Sequence, residues 1–142
     1  MAAEEEVRTA SARFYAALNS MMTGDAAPLA DVWSHGADVS TMHPIGGREA
    51  GWDQVRGSFE GVAGLASAGH AELRDQSIHL GEDLAYELGT EHGQATLAGE
   101  QITIEQRVTN VYRREGGEWK IVHHHTDLSP AMLALLERLQ AA

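Results

Sequence analysis

The sequence predicts an α+β domain in which helices cover one face of a long, curved antiparallel sheet. Two observations carry this prediction. In the first half of the chain, apolar residues recur every three or four positions, as they do along one face of a helix. After Gly69 the pattern changes to an alternation of period two, which is typical of strands. A run of strands with short turns forms a meander that the helices can cover.

Two helices, a short strand and a third helix are predicted before the main sheet. The first helix spans residues 4–23, and its three leading glutamates lie where the helix dipole favours negative charge. A second, short helix follows within residues 25–33. The short strand at residues 38–43 ends at Pro44 and at a Gly-Gly turn. Apolar residues at helical spacing then predict the third helix from about residue 48 to 65.

Four strands and a last helix complete the predicted domain. The strands are expected at residues 71–80, 84–97, 101–114 and 118–127. Glycine and polar residues in the three short segments between them suit tight hairpin turns. A stripe of Met and Leu predicts the helix at residues 130–140. We therefore expect one domain over residues 1–142, with its core at about 4–129.

Composition and charge exclude several classes of function. The 142 residues include 21 acidic and 10 basic side chains, a formal net charge of −11, which disfavours nucleic-acid and anionic-membrane partners. The absence of cysteine excludes disulfides and thiolate chemistry. No glycine-rich phosphate loop or dinucleotide fingerprint is present, so no organic cofactor is expected. With no long apolar segment and no signal-peptide pattern, we expect a cytoplasmic protein.

A conical cavity is expected where the helices stop short of the curved sheet. His43 lies at a strand end before proline, and with an ordinary pKa of about 6.5 it can accept and return a proton. Its alternative role is to cap the strand end. The sequence does not say which face of each strand points inward, because both faces carry apolar and polar members.

The His43-Pro44 pair and Trp33 near the start, with the segment 119–125 near the end, resemble a SnoaL-like domain of the NTF2-like superfamily. The resemblance covers about residues 4–129. It implies a cone-shaped fold, a small organic molecule in the cone, and a homodimer formed through the outer sheet face. The superfamily includes isomerases, cyclases, dehydratases and hydrolases as well as non-catalytic members, so the fold alone does not define an activity.

The resemblance also implies roles for individual residues. By comparison with ketosteroid isomerase, His43 takes the place of the general base and Asn110 that of an oxyanion-binding aspartic acid. Asparagine can still donate a hydrogen bond to an oxyanion. These two residues are the catalytic candidates. The expected ligand-binding residues are Tyr15, Trp33, Trp52, Tyr86, His92, Tyr112 and His124.

The run His123-His124-His125 raises a metal hypothesis. On a strand only the first and third of these side chains share a face, and a third ligand such as His43 or His92 would have to come from another strand. No spacing here matches a zinc finger or a metalloprotease helix. We expect no metal, with His124 in the cone and its two neighbours on the outer face.

Two functional classes remain open. The first is a cofactor-independent isomerase, cyclase, dehydratase or hydrolase that acts on a small, largely apolar carbonyl or hydroxy compound through histidine acid/base chemistry. The second is a non-catalytic ligand-binding or dimerisation module. An enzyme needs an open cavity lined by its proton-transferring groups, whereas a structural module would fill the cavity with its own side chains.

Overall fold

A computed structural model describes residues 2–141 and gives this part of the chain four helices and six strands. The helices are α1 Ala3–Met21, α2 Leu29–Val32, α3 Trp52–Leu65 and α4 Pro130–Ala141. The strands are β1 Ser40–His43, β2 Gly46–Ala50, β3 Ala66–Leu80, β4 Leu84–Leu97, β5 Glu100–Glu115 and β6 Glu118–Thr126. The predicted combination of helices with a four-strand meander is confirmed.

The six strands form one curved sheet in the order β2-β1-β6-β5-β4-β3. Neighbouring strands run antiparallel except β1 and β6, which are parallel, so the sheet is mixed rather than wholly antiparallel. The long strands β3 to β6 make the concave face that α1 and α3 cover. The fold class predicted from the sequence is therefore confirmed.

Two element boundaries differ from the prediction, and backbone geometry explains both. Residues 48–50 belong to β2, not to the third helix, because Gly46 and Gly47 adopt φ values of 88° and 79° and turn the chain back to pair with β1. The helix α3 begins only after Gly51. Strand β3 starts at Ala66, five residues before the predicted residue 71, since its pairing with β4 continues to Leu97. That pairing extends the strand through small residues of weak strand propensity.

The core lies between α1, α3 and the concave face of the sheet. Val7 and Phe14 of α1, Val55 of α3 and Ile121 of β6 are completely buried there. Each such side chain contributes about 1.5–3 kcal/mol relative to an exposed one. The same concave face carries buried polar residues on β4, β5 and β6, which defines where a site can form.

A bulge in β6 changes which side chains face inward. Val111 of β5 pairs with His123, whereas the next residue, Tyr112, pairs with Ile121, so Val122 has no partner across the ladder. The alternation of side chains therefore shifts by one along β6. As a result Ile121 and His124, three residues apart, are both buried.

None of the helices within residues 2–141 is long and apolar enough to span a membrane.

Candidate functional site

An apolar cavity of about 110 Å³ lies between the concave face of the sheet and the helices α1, α3 and α4. Among its described lining residues, only His43, Glu91, Gln106 and His124 are polar. Helix α4 closes the cavity with methionine and leucine side chains. An engineered apolar cavity of roughly 150 Å³ in another protein holds a benzene molecule, so this space suits a small ligand.

His43 reaches the cavity from the end of β1. Its Nε2 lies 2.8 Å from the hydroxyl oxygen of Ser58, and that hydroxyl donates its own hydrogen to the carbonyl of Val55 at 2.7 Å. The ring Nε2 must therefore be the donor, which leaves Nδ1 as an unprotonated acceptor. Burial lowers the pKa of His43 to about 4. At neutral pH the ring is uncharged.

His124 reaches the cavity from β6, and its ring centre lies 6.5 Å from that of His43. Its Nδ1 is 2.6 Å from the side-chain oxygen of Asn110. Burial, with a further effect of the neighbouring His43, holds the pKa of His124 well below its ordinary value. Two uncharged imidazoles thus share the polar end of the cavity.

Glu91 adds a carboxyl group to the same end of the cavity. One of its oxygens accepts from the hydroxyl of Tyr15 at 2.8 Å, and the other accepts from Gln106 Nε2 at 2.9 Å. The side chain is only 2% exposed, and burial raises the pKa of this carboxyl, although both hydrogen bonds oppose the rise. Glu91 therefore keeps its proton to a higher pH than an ordinary glutamic acid.

A second layer of polar residues lies behind the cavity wall. Asn110 Nδ2 donates to the oxygen of Tyr15 and to Glu87, both at 3.0 Å. The hydroxyl of Tyr112 also donates to Glu87, at 2.8 Å, and Gln76 Nε2 donates to the other oxygen of that carboxyl at 2.6 Å. Burial raises the pKa of both tyrosines, so both hydroxyls stay protonated. This layer holds the cavity-lining groups in fixed orientations.

The two catalytic candidates occupy different places. His43 lines the cavity, as the prediction requires for an acid/base residue. Asn110 is fully buried behind the wall, and its amide hydrogens are used by Tyr15 and Glu87. The expectation that Asn110 donates directly to an oxyanion needs correction, because no free N–H remains for a ligand.

The predicted ligand-binding residues are divided between cavity, core and outer face. His124 lines the cavity, and Tyr15 bonds to the cavity residue Glu91. Tyr112 belongs to the layer behind the wall. Trp33 packs among aromatic side chains of the core, 6.4 Å between ring centres from Phe14.

Three of the remaining expectations are corrected by where the side chains lie. Trp52 stacks on His35 with ring centres 4.4 Å apart, outside the cavity lining. Tyr86 and His92 lie on the outer face of β4, since the residues buried on that strand are the alternate ones such as Glu87 and Glu91. Their strand was predicted correctly, but the opposite face points into the cone.

Sequence reasoning missed Glu91 and Gln106 as site residues. A signal was present in β5, where Ile102 and Ile104 alternate with Thr103, Glu105 and Arg107. That contrast indicates the inner face, and it places Gln106 on it. In β4 the inner positions are mostly small or acidic. Tyr86 and His92 on the opposite face were therefore predicted as ligand-binding residues, and Glu91 was not.

The histidine run divides as the strand geometry predicts. His124 points into the cone, whereas His123 and His125 lie on the other side with ring centres 5.8 Å apart. Within residues 2–141, no group of three histidine, aspartate or glutamate side chains is arranged to hold a metal ion.

The fold and the site together define a cone-shaped α+β domain with a mostly apolar cavity. The chain belongs to the SnoaL-like domain family, whose model matches residues 7–132. No curated protein sequence matches it significantly.

Several solved structures resemble the chain over most of its length. A proposed dehydratase of the NTF2-like family from Streptomyces avermitilis is 26% identical, with a TM-score of 0.77 over 88% of this chain and 94% of that one. An NTF2-like superfamily protein from Salmonella enterica is 22% identical, with a TM-score of 0.76 over 87% and 88%. A proposed scytalone dehydratase from Novosphingobium aromaticivorans is 11% identical, with a TM-score of 0.72 over 87% and 81%.

Proposed function

We propose that this protein binds a small, uncharged, largely apolar carbonyl or hydroxy compound in its cavity and transfers protons on it. One observation carries the proposal. Two imidazoles whose pKa values are lowered and a carboxyl whose pKa is raised line one apolar cavity. Titratable groups shifted in opposite directions are typical of an acid/base pair at an active site.

Dehydration of a β-hydroxy carbonyl compound is the reaction that these groups suit best. An unprotonated histidine, His43 or His124, takes the proton from the carbon next to the carbonyl. The electron pair forms the C=C bond as the C–OH bond breaks, and Glu91 protonates the departing hydroxyl to give water. Proton transfer from histidine back to Glu91 restores the site. The 26% identity to a proposed dehydratase supports this choice within the broader acid/base class.

The absence of a counter-charge supports an uncharged substrate. None of the described lining residues is lysine or arginine, and the whole chain has a formal charge of −11. A carboxylate or phosphate would lose its hydration without gaining a cationic partner. Polar atoms of the ligand can instead bond to the imidazoles, to Gln106 and to Glu91.

The open cavity also bears on the non-catalytic alternative. A pure association module would be expected to fill the cone with its own side chains, and here about 110 Å³ stays open beside the titratable groups. We propose that dimerisation accompanies ligand binding and uses the outer sheet face. Tyr86 and Leu88 are 45% and 39% exposed there.

The test is a screen of β-hydroxy ketones of about six to eight heavy atoms, each paired with the acid that replaces its methyl ketone by a carboxylate. Binding is measured by ligand-observed NMR, and enone formation by ultraviolet absorbance. We expect the ketones to bind and react, and the acids to do neither. His43→Ala and His124→Ala are tested separately, and the variant that removes the base should abolish turnover. His70→Ala on the exposed surface is the control. Turnover that survives His43→Ala would refute its acid/base role.

A further inference from the structure

Glu87 accepts three side-chain hydrogen bonds, although it does not line the cavity. Its carboxyl receives hydrogen bonds from Asn110 Nδ2, from the Tyr112 hydroxyl and from Gln76 Nε2. The Gln76 amide can only donate to Glu87, because its own oxygen accepts from Arg8 at 2.6 Å. The Glu87 side chain is completely buried, so water does not replace these partners.

These contacts determine the orientation of the Asn110 amide. In the observed orientation its NH₂ group donates to Glu87 and to Tyr15, each at 3.0 Å. The reversed orientation would place the Asn110 oxygen against a Glu87 oxygen and against a tyrosine oxygen whose hydrogen already goes to Glu91. Both hydrogen bonds would be lost in a buried site, where unpaired polar groups are most unfavourable. The Asn110 oxygen must therefore face the opposite way.

The Asn110 oxygen faces Nδ1 of His124 at 2.6 Å. A carbonyl oxygen can only accept, so the His124 hydrogen is on Nδ1, and an uncharged ring has no second one. The Nε2 atom then carries a free lone pair. We infer that Glu87 is a positioning residue that sets the tautomer of His124 through Asn110 and leaves Nε2 as the proton acceptor. The use of Nε2 as a proton acceptor in catalysis rests on the proposed function, whereas the tautomer of His124 does not.

The tautomer can be measured without a substrate. In ¹⁵N-labelled protein at pH 7, two-bond ¹H–¹⁵N correlations of the imidazole ring distinguish Nδ1–H from Nε2–H. Assignment uses the loss of a ring signal in His124→Gln. We expect a single Nδ1–H form for His124 and, from its bond to Ser58, an Nε2–H form for His43. An Nε2–H form of His124 in the unmodified protein overturns the inference.

Two variants of equal side-chain length test the role of Glu87. Glu87→Gln keeps an oxygen that can accept from Asn110, and we expect His124 to stay at least nine-tenths in the Nδ1–H form. Glu87→Met has no such oxygen, and we expect the Nε2–H form to rise to a third or more. His43 should not change in either variant. An unchanged His124 tautomer in folded Glu87→Met overturns the inference, and the spectrum of the unmodified protein tests it even if that variant does not fold.

The same experiment separates this inference from the proposed function. An Nδ1–H form that depends on residue 87, in a protein that turns over no ketone, would support the positioning role of Glu87 and refute the proposed reaction. Turnover of a ketone by a protein whose His124 is in the Nε2–H form would support the proposed reaction and refute the positioning role of Glu87.

Discussion

Because His43 is uncharged in the folded protein, we expect the free energy of unfolding to depend on pH by an amount that can be calculated. Its pKa is about 4 in the folded protein and ordinarily 6.5, so the unfolded chain binds a proton first as the pH falls. The contribution of His43 to the free energy of unfolding is therefore present above pH 6.5 and is lost as the pH falls towards 4. One pKa unit corresponds to about 1.36 kcal/mol, and linkage over this shift gives a loss of about 2 kcal/mol between pH 7 and pH 4.5.

Replacement by a residue that does not titrate isolates this contribution. His43→Gln keeps a side-chain amide that can bond to Ser58, and urea unfolding of both proteins at pH 7 and pH 4.5 gives the difference. These values avoid pH 5.0, where the sequence reaches its isoelectric point and solubility is lowest. The free energy of unfolding of the unmodified protein minus that of His43→Gln should be about 2 kcal/mol smaller at pH 4.5 than at pH 7.

The matched control is His70→Gln, on an exposed side chain of β3. Its free energy of unfolding relative to the unmodified protein should change by less than about 0.5 kcal/mol between the two pH values, as for ordinary surface substitutions. If His43→Gln shows the same small change, His43 is not held uncharged in the cavity. The assignment of His43 as a proton acceptor near neutral pH would then lose its physical basis.

Three further predictions concern the acid, the cavity and the outer face. Glu91→Gln should lower kcat by about 10²–10⁴-fold while ligand dissociation constants change only a few-fold, because the amide keeps the shape but cannot deliver the proton; unchanged kcat would remove Glu91 from the mechanism. Ala95→Leu, on a buried cavity-lining residue, should weaken ketone binding more than 10-fold in ligand-observed NMR, whereas equal binding would place the ligand elsewhere. Leu88→Glu should convert a dimer to a monomer in sedimentation at micromolar concentration, and a monomeric parent protein would contradict the dimer itself.

The sequence was sufficient to predict the fold because the period-two alternation and the turn residues between segments indicate the same four long strands. In β5, isoleucines alternate with polar residues, so the strand could be predicted, whereas its inner face was settled only by the structure. Strand β2 could not be predicted, since Arg48 and its neighbours become a strand only through the glycine turn and pairing with β1. Tertiary pairing of this kind is not encoded in local propensity.

The candidate site was harder to predict than the fold because one residue of register decides which side chains enter the cone. His124 faces inward opposite Asn110, and the bulge turns Ile121 to the same side, whereas simple alternation would separate these two residues. On β4 the cavity side is marked by small residues and two glutamates, a pattern that by itself suggests a solvent-exposed face. Their burial follows from the curvature of the sheet around α1.

The cost of the polar interior argues that it has a chemical use. Glu87, Glu91, Asn110 and His124 are each at most 3% exposed, in a domain whose stability would gain from well-packed apolar side chains at such positions. Each of them is hydrogen-bonded, but those bonds offset desolvation rather than exceed it. The residues also form one connected chain from Gln76 to the cavity. A purely structural core has no need of such a chain, whereas proton transfer needs its donors and acceptors held in a single orientation.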